Sequence, residues 1–246
     1  MAETVNQPDS GAWPWIDLGR MGYAEALGLQ HRFVDALSLQ EASADPKPLN
    51  LAGGIFLFLE HPPVFTLGKR GGTEFLNVAE DWLANQGIPV VATERGGFIT
   101  YHGPGQLIVY PVVRLKSLRV SVRDLVDGLE AVMIRVLAYW GIDAGRNEAN
   151  RGVWVGERKI GSIGIHVRKG VCFHGMALNV NTDLRPFGWI QPCGLSGVAM
   201  TSLKELTGSG IPMAEVLQQT VVAIEKVFHI RMQRIASLSG VLGKQS

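Results

Sequence analysis

Cys193 and Lys159 are the two side chains whose chemistry could combine. Cys193 lies between Pro192 and Gly194, on a sharp turn that can project a thiol into a cleft. Lys159 lies thirty-four residues upstream, in a glycine-punctuated strand pattern. A lysine beside a thiol favours the thiolate and makes it a nucleophile. That pairing would suit acyl transfer through a thioester. The residues alone leave other readings open. A lone cysteine is more often a buried small hydrophobe, and a lysine at a strand end can snorkel to solvent. His102, His166 and His174 offer a Cys–His dyad as the rival to Cys–Lys. The second cysteine, Cys172, reads as a buried small hydrophobe.

Three blocks could enclose a ligand. Arg95–Gln106 (RGGFITYHGPGQ) holds four glycines and one proline in twelve residues, so its backbone can approach a ligand closely. Arg95, Thr100, Tyr101 and His102 add donors and aromatic surface. The same composition suits a plain turn between strands. No Gly-Lys-Ser/Thr follows it, and its glycines do not match the dinucleotide fingerprint. In Gly156–His166 (GERKIGSIGIH), strand alternation puts Lys159 with Gly161, Ile163 and Ile165, opposite Ser162 and His166. A lysine on that apolar side must reach solvent, pair or lose its proton. Gly161 and Gly164 would leave room for a ligand. In His174–Asn181 (HGMALNVN), Met176, Leu178 and Val180 could line an alkyl pocket or simply pack the core. The histidine spacings match no common zinc pattern, so no metal site is expected.

These blocks need a scaffold. Helical periodicity is expected over 23–37, 122–140 and 213–228, with a short helix over 78–86. Strands are expected at 55–59, 64–67, 90–93, 99–101, 107–113, 153–155, 158–167 and 173–180, and Gly156-Glu157 turns a hairpin. Residues 41–50, with two prolines, read as a loop. Strands and helices mix without regular βαβ alternation. The expectation is α+β: a single domain with a mixed, largely antiparallel sheet flanked by helices. Residues 1–15 are expected as a loose tail, 16–235 as one catalytic domain and 236–246 as a frayed tail.

Composition narrows the function. Of 246 residues, 46% are hydrophobic, enough for a substantial core. A formal charge of +1 with no polybasic block argues against nucleic acid as a partner. No stretch approaches a membrane span. Two cysteines are not a disulfide scaffold, so a reducing cytoplasm is expected.

Five blocks, in order from Leu57 to Leu203, resemble the lipoyl (octanoyl) transferase family. They are Glu60–Gly68 (EHPPVFTLG), Arg95–Gln106, Lys159–Gly164 (KIGSIG), His174–Asn179 (HGMALN) and Pro192-Cys193-Gly194. The resemblance implies a catalytic fold shared with biotin and lipoate protein ligases. It implies transfer of octanoyl from octanoyl-acyl carrier protein to a lysine of lipoyl domains, those of 2-oxoacid dehydrogenases and of the glycine cleavage H protein. This is the first step of endogenous protein lipoylation. On the matching positions, Cys193 would form the acyl-thioester and Lys159 would stabilise its thiolate. Arg95, Gly96, Gly97, Phe98, Ile99, Thr100, Tyr101 and His102 would line the acyl pocket, with Ser162, Ile163, Gly164, Gly175, Met176 and Ala177. No cofactor is implied, because the acyl group arrives activated, and a monomer is expected. An ATP-dependent lipoate or biotin ligase on the same fold would not need Cys193. A non-catalytic acyl-binding module would not need to keep both Lys159 and Cys193.

Overall fold

The computed structural model describes residues 11–42, 51, 53–147, 150–191, 198–239 and 241. Cys193 lies outside the described residues, as do Pro192, Gly194 and residues 1–10.

Eleven strands form two sheets among the described residues. They are β1 (Trp13–Arg20), β2 (Gly54–Glu60), β3 (Val64–Leu67), β4 (Val90–Ala92), β5 (Thr100–His102), β6 (Gln106–Arg114), β7 (Gly145–Arg146), β8 (Val153–Val155), β9 (Arg158–Arg168), β10 (Val171–Asn179) and β11 (Met232–Arg234). The large sheet runs β11-β1-β2-β6-β10-β9-β8-β7, and the small one β4-β3-β5. Only β1–β11, β1–β2 and β3–β4 pair in parallel. The sheet is therefore mixed and largely antiparallel, as expected. No helix among the described residues is long and apolar enough to cross a membrane.

Helices cover both faces of the large sheet. α1 (Tyr23–Ala42) buries Ala26, Leu29, Phe33, Val34 and Leu37 against Leu57, Ile108 and Phe173. Their three- and four-residue spacing is that of one helical face. On the other face lie α4 (Val122–Tyr139) and α6 (Met213–Phe228), over Phe56, Val109, Cys172 and Leu178. Ser121 starts α4 with a reciprocal capping box to Asp124. The short helices are α2 (Glu80–Asn85), α3 (Leu115–Leu118) and α5 (Leu203–Thr207). A third apolar cluster, with Phe65, Leu83, Ile99, Tyr101, Phe187 and Ile190, packs under the small sheet.

β1 begins inside the stretch expected as a tail. Trp13 and Trp15 are buried core residues there. The first four residues of β1 are all buried between parallel neighbours, so no apolar/polar alternation announces the strand. The short helix expected over 78–86 is α2, and a 3-10 turn at Thr73–Phe75 precedes it.

Candidate functional site

A cavity of about 370 Å³ opens where β5, β9 and β10 meet. Of the expected pocket residues, Arg95, Gly97, Phe98, Ile99, Thr100 and His102 line it. So do Ser162, Ile163, Gly164, Gly175, Met176, Ala177 and Lys159. Gly96 and Tyr101 are not among its lining. Strand alternation explains Tyr101: Thr100 and His102 face the cavity, whereas Tyr101 turns into the small-sheet cluster against Phe65 and Phe187. Gly96 is spent on structure, its N–H donating to Ile165 O at 3.0 Å.

The glycines serve the scaffold more than a ligand. A Cβ on Gly161 would lie 2.5 Å from Met133 Sδ of α4. One on Gly164 would meet Arg95 Cδ and Gly96 O, each at 3.1 Å. One on Gly175 would sit 2.1 Å from Val109 O of the neighbouring strand. The room expected for a ligand at Gly161 is thus taken by Met133, whereas Gly164 lines the cavity and also admits the Arg95 turn. Arg95 is itself 7% exposed and clasps Thr66, through Nη2 to Thr66 O at 2.6 Å and to Thr66 Oγ1 at 2.8 Å. It shapes the cavity wall from behind as well as lining it.

Lys159 does not snorkel. It is 2% exposed, and Nζ donates to Asn150 Oδ1 at 2.9 Å and to Arg151 O at 2.7 Å. Nζ also lies 5.5 Å from the centre of the Trp154 ring. Gly152 lets these groups meet: at φ +124°, a Cβ there would come within 2.7 Å of Lys159 Cε. The chain that follows Cys193 returns to the same place. Lys159 N–H donates to Ala199 O and Thr201 N–H to Lys159 O, each at 2.9 Å, and Met200 lines the cavity.

Arg70 and Arg151 also line the cavity, and behind His102 runs a buried polar network. Asn179 Nδ2 donates to Thr201 O at 3.1 Å, and Gln106 Nε2 donates to Asn179 Oδ1 at 2.9 Å. A carbonyl only accepts, so the direction of this chain is fixed. Gln106 Oε1 therefore accepts from His102 Nδ1 at 2.7 Å, which leaves the lone pair on Nε2. By the same logic His61 Nδ1 donates to Met21 O at 2.7 Å, and its Nε2 accepts from Tyr110 Oη at 2.8 Å. Burial pushes His102 down to about 3 and His61 to about 4, and raises Tyr23 to about 12. His174 is also held well below its ordinary value by burial. Its Nε2 has no hydrogen bond among the described residues; the nearest carboxylate oxygen, on Glu94, lies 3.8 Å away. Tyr23, Tyr110 and Asn150 escaped sequence reasoning. Tyr23 and Tyr110 sit inside apolar patterns, and only their hydroxyls marked them.

The family model for the lipoyl protein ligase A/B catalytic domain matches residues 23–225, which include all the cavity residues named above. The chain belongs to this lipoyl protein ligase A/B family. Within the family it is similar to the octanoyltransferase of Desulfotalea psychrophila, 46% identical over 215 residues, 87% of this chain and 92% of that protein. It is also similar to a mitochondrial octanoyl-[acyl-carrier-protein]:protein N-octanoyltransferase of Xenopus tropicalis, 42% identical over 209 residues, 85% of this chain and 84% of that protein. The family fold recurs in a bipartite lipoate protein ligase of Thermoplasma acidophilum. That structure shares 18% identity at a TM-score of 0.66, covering 94% of this chain and 90% of its own. At that identity the likeness bears on fold alone.

Proposed function

We propose that this chain, an octanoyltransferase, takes its acyl group from octanoyl-acyl carrier protein and delivers it to a lysine of lipoyl domains through a thioester on Cys193. The observation that carries this reading is the setting of Lys159. It is buried at the cavity wall, hydrogen-bonded through Nζ, and laced by its backbone to the chain six to eight residues beyond Cys193.

In the first half-reaction, the Cys193 thiolate attacks the carbonyl carbon of the carrier thioester. A new C–S bond forms, the carrier's C–S bond breaks, and the departing carrier thiolate takes a proton from the Lys159 ammonium. Exchange of one thioester for another is nearly isoenergetic. In the second, the amine of the lipoyl-domain lysine attacks, the amide forms, and the Cys193 thiolate departs. Lys159, left neutral by the first half-reaction, takes the proton that the attacking amine loses and is an ammonium again. Lys159 as a cation would lower the thiol pKa by opposite charge. Phe98, Ile99, Ile163, Met176 and Ala177 supply the apolar wall for the alkyl chain. The neutral histidines and tyrosines place no fixed charge against it. The reaction needs no ATP and no cofactor. A free thiol suits a reducing cytoplasm, and the chain acts as a monomer.

The test is an intact mass after incubation with octanoyl-acyl carrier protein and no ATP. One octanoyl adduct on Cys193, discharged by added lipoyl domain, is expected. No adduct, or an adduct on Cys172, sinks the mechanism.

A further inference from the structure

The buried face of α4 carries one charge. Glu130 is 1% exposed among Leu125, Leu129, Val132, Met133, Val136 and Leu137. A carboxylate in such a place needs partners. Its Oε1 accepts from Gly152 N–H at 2.9 Å. Its Oε2 accepts from Arg151 Nη1 at 3.1 Å and Arg146 Nε at 3.0 Å. Asp127, three residues earlier, adds two contacts from outside: its Oδ1 pairs with Arg151 Nη1, and its backbone carbonyl accepts from Arg146 Nη2 at 2.8 Å.

The strap that Glu130 holds is the one that seats Lys159. Arg151 presents its side chain to Glu130 and its carbonyl oxygen to Lys159 Nζ at 2.7 Å. Gly152 gives its N–H to Glu130 while its Cα faces Lys159 Cε. Asn150 adds the second acceptor, Oδ1, at 2.9 Å. Arg146 and Arg151 are each half exposed on their outer sides, so solvent could compete for the strap were the carboxylate absent.

We propose that Glu130 is a positioning residue for the acyl transfer: it fixes the Asn150–Gly152 strap so that two oxygens hold Lys159 Nζ at the cavity wall. The proposal rests on the Cys193–Lys159 reading for its effect on catalysis, but not for its effect on Lys159. Anchoring from α4 makes the lysine's place a property of the core. A residue with no contact to substrate thereby sets the electrostatics at the thiol.

The experiment uses the full chain as wild type, Glu130→Gln, Lys159→Ala and the double variant. Iodoacetamide alkylation of Cys193 is followed against pH, and acetylation of Lys159 by acetic anhydride is read by peptide mass. Glu130→Gln is expected to slow octanoyl transfer about tenfold to a hundredfold, to shift the alkylation midpoint upward, and to raise Lys159 acetylation severalfold. In the Lys159→Ala background, the same substitution is expected to move alkylation less than twofold, because its route to the thiol is gone. A purely structural role would lower stability without this selective loss. An undiminished Glu130→Gln effect in the double variant overturns the proposal, as does unchanged acetylation of Lys159. If Lys159→Ala itself leaves the alkylation profile unmoved, the dyad reading fails, and Lys159 acetylation alone decides the role of Glu130. Should Glu130→Gln not fold, Arg146→Gln, at a half-exposed site, is read by the same criteria.

Discussion

Met200 lies in a parallel bridge with Lys159, held by one hydrogen bond from Lys159 N–H to Ala199 O and one from Thr201 N–H to Lys159 O. The segment arriving from Cys193 is thereby tied to the backbone of the lysine. Thr201→Pro deletes the second of these bonds and should slow octanoyl transfer about a hundredfold, as misplacement by about 1 Å does. Thr201→Ala keeps the N–H and loses the hydroxyl's bond to Glu205 at 3.1 Å together with one buried methyl. It should stay within about threefold of wild type. Equal losses in steady-state assays of the two variants would show that the backbone tie is irrelevant.

Gly152→Ala should be among the most damaging single changes. The new methyl would lie 2.3 Å from Gly161 O and 2.7 Å from Lys159 Cε, at a φ that side chains rarely adopt. A cost of about 2–4 kcal/mol is expected, read from the urea midpoint, with transfer lost even where the chain remains folded. A variant with wild-type stability and rate would contradict the tight approach of strap and lysine.

Gln106→Glu should change the charge of His102. A carboxylate would then stand where Oε1 now accepts from Nδ1 at 2.7 Å, which favours the imidazolium. The donor to Asn179 Oδ1 would also be lost, at a cost of about 1–3 kcal/mol. Imidazole NMR shifts should show His102 titrating well above its native value of about 3. A His102 resonance that stays neutral through the acid range would argue against the assigned tautomer chain.

Acid should destabilise the chain through its buried histidines. His61, His102 and His174 all have depressed values in the folded state. As pH falls below about 6.5, the unfolded chain takes up protons that the folded chain refuses. Stability is therefore full above 6.5 and lost as pH falls toward the folded values of His61 and His102, about 4 and about 3. Each histidine contributes a slope of up to about 1.4 kcal/mol per pH unit. Urea midpoints at pH 8, 6.5, 5.5 and 4.5 should be flat over the first interval and fall over the others. A midpoint constant down to pH 4.5 would mean that these rings are accessible.

Ala177→Leu should shorten the accepted acyl chain. Ala177 is 6% exposed and lines the cavity, so added methylenes occupy space that an alkyl tail would need. Octanoyl transfer should fall about tenfold while butanoyl transfer is nearly unchanged. Parallel losses for both chain lengths would place the alkyl chain elsewhere.

Much of this arrangement was legible beforehand, and the gaps have physical causes. Periodicity marked the faces of α4 and α6, and the glycine-rich blocks marked the cavity wall. Glu130 gave no signal, because one acidic residue inside an apolar stripe looks like a solvent edge until its partners sixteen and more residues away are known. Gly161 suggested empty space; sequence could not say that Met133 would fill it. Tyr101 belonged to the right block but to the wrong side of a strand. Tyr23 and His61 reach the polar cluster by long-range packing, their rings 5.2 Å apart.

Cys172 gives the protein a built-in clock. Its thiol is wholly buried in β10, and burial raises its pKa far above the usual range. In the folded chain it should not react with thiol reagents. Any native alkylation is then a single-site event that needs no cysteine deletion for its assignment. A second equivalent can enter only when the core between β6 and β10 opens. The rate at which labelling climbs from one group to two would time the excursions of that core.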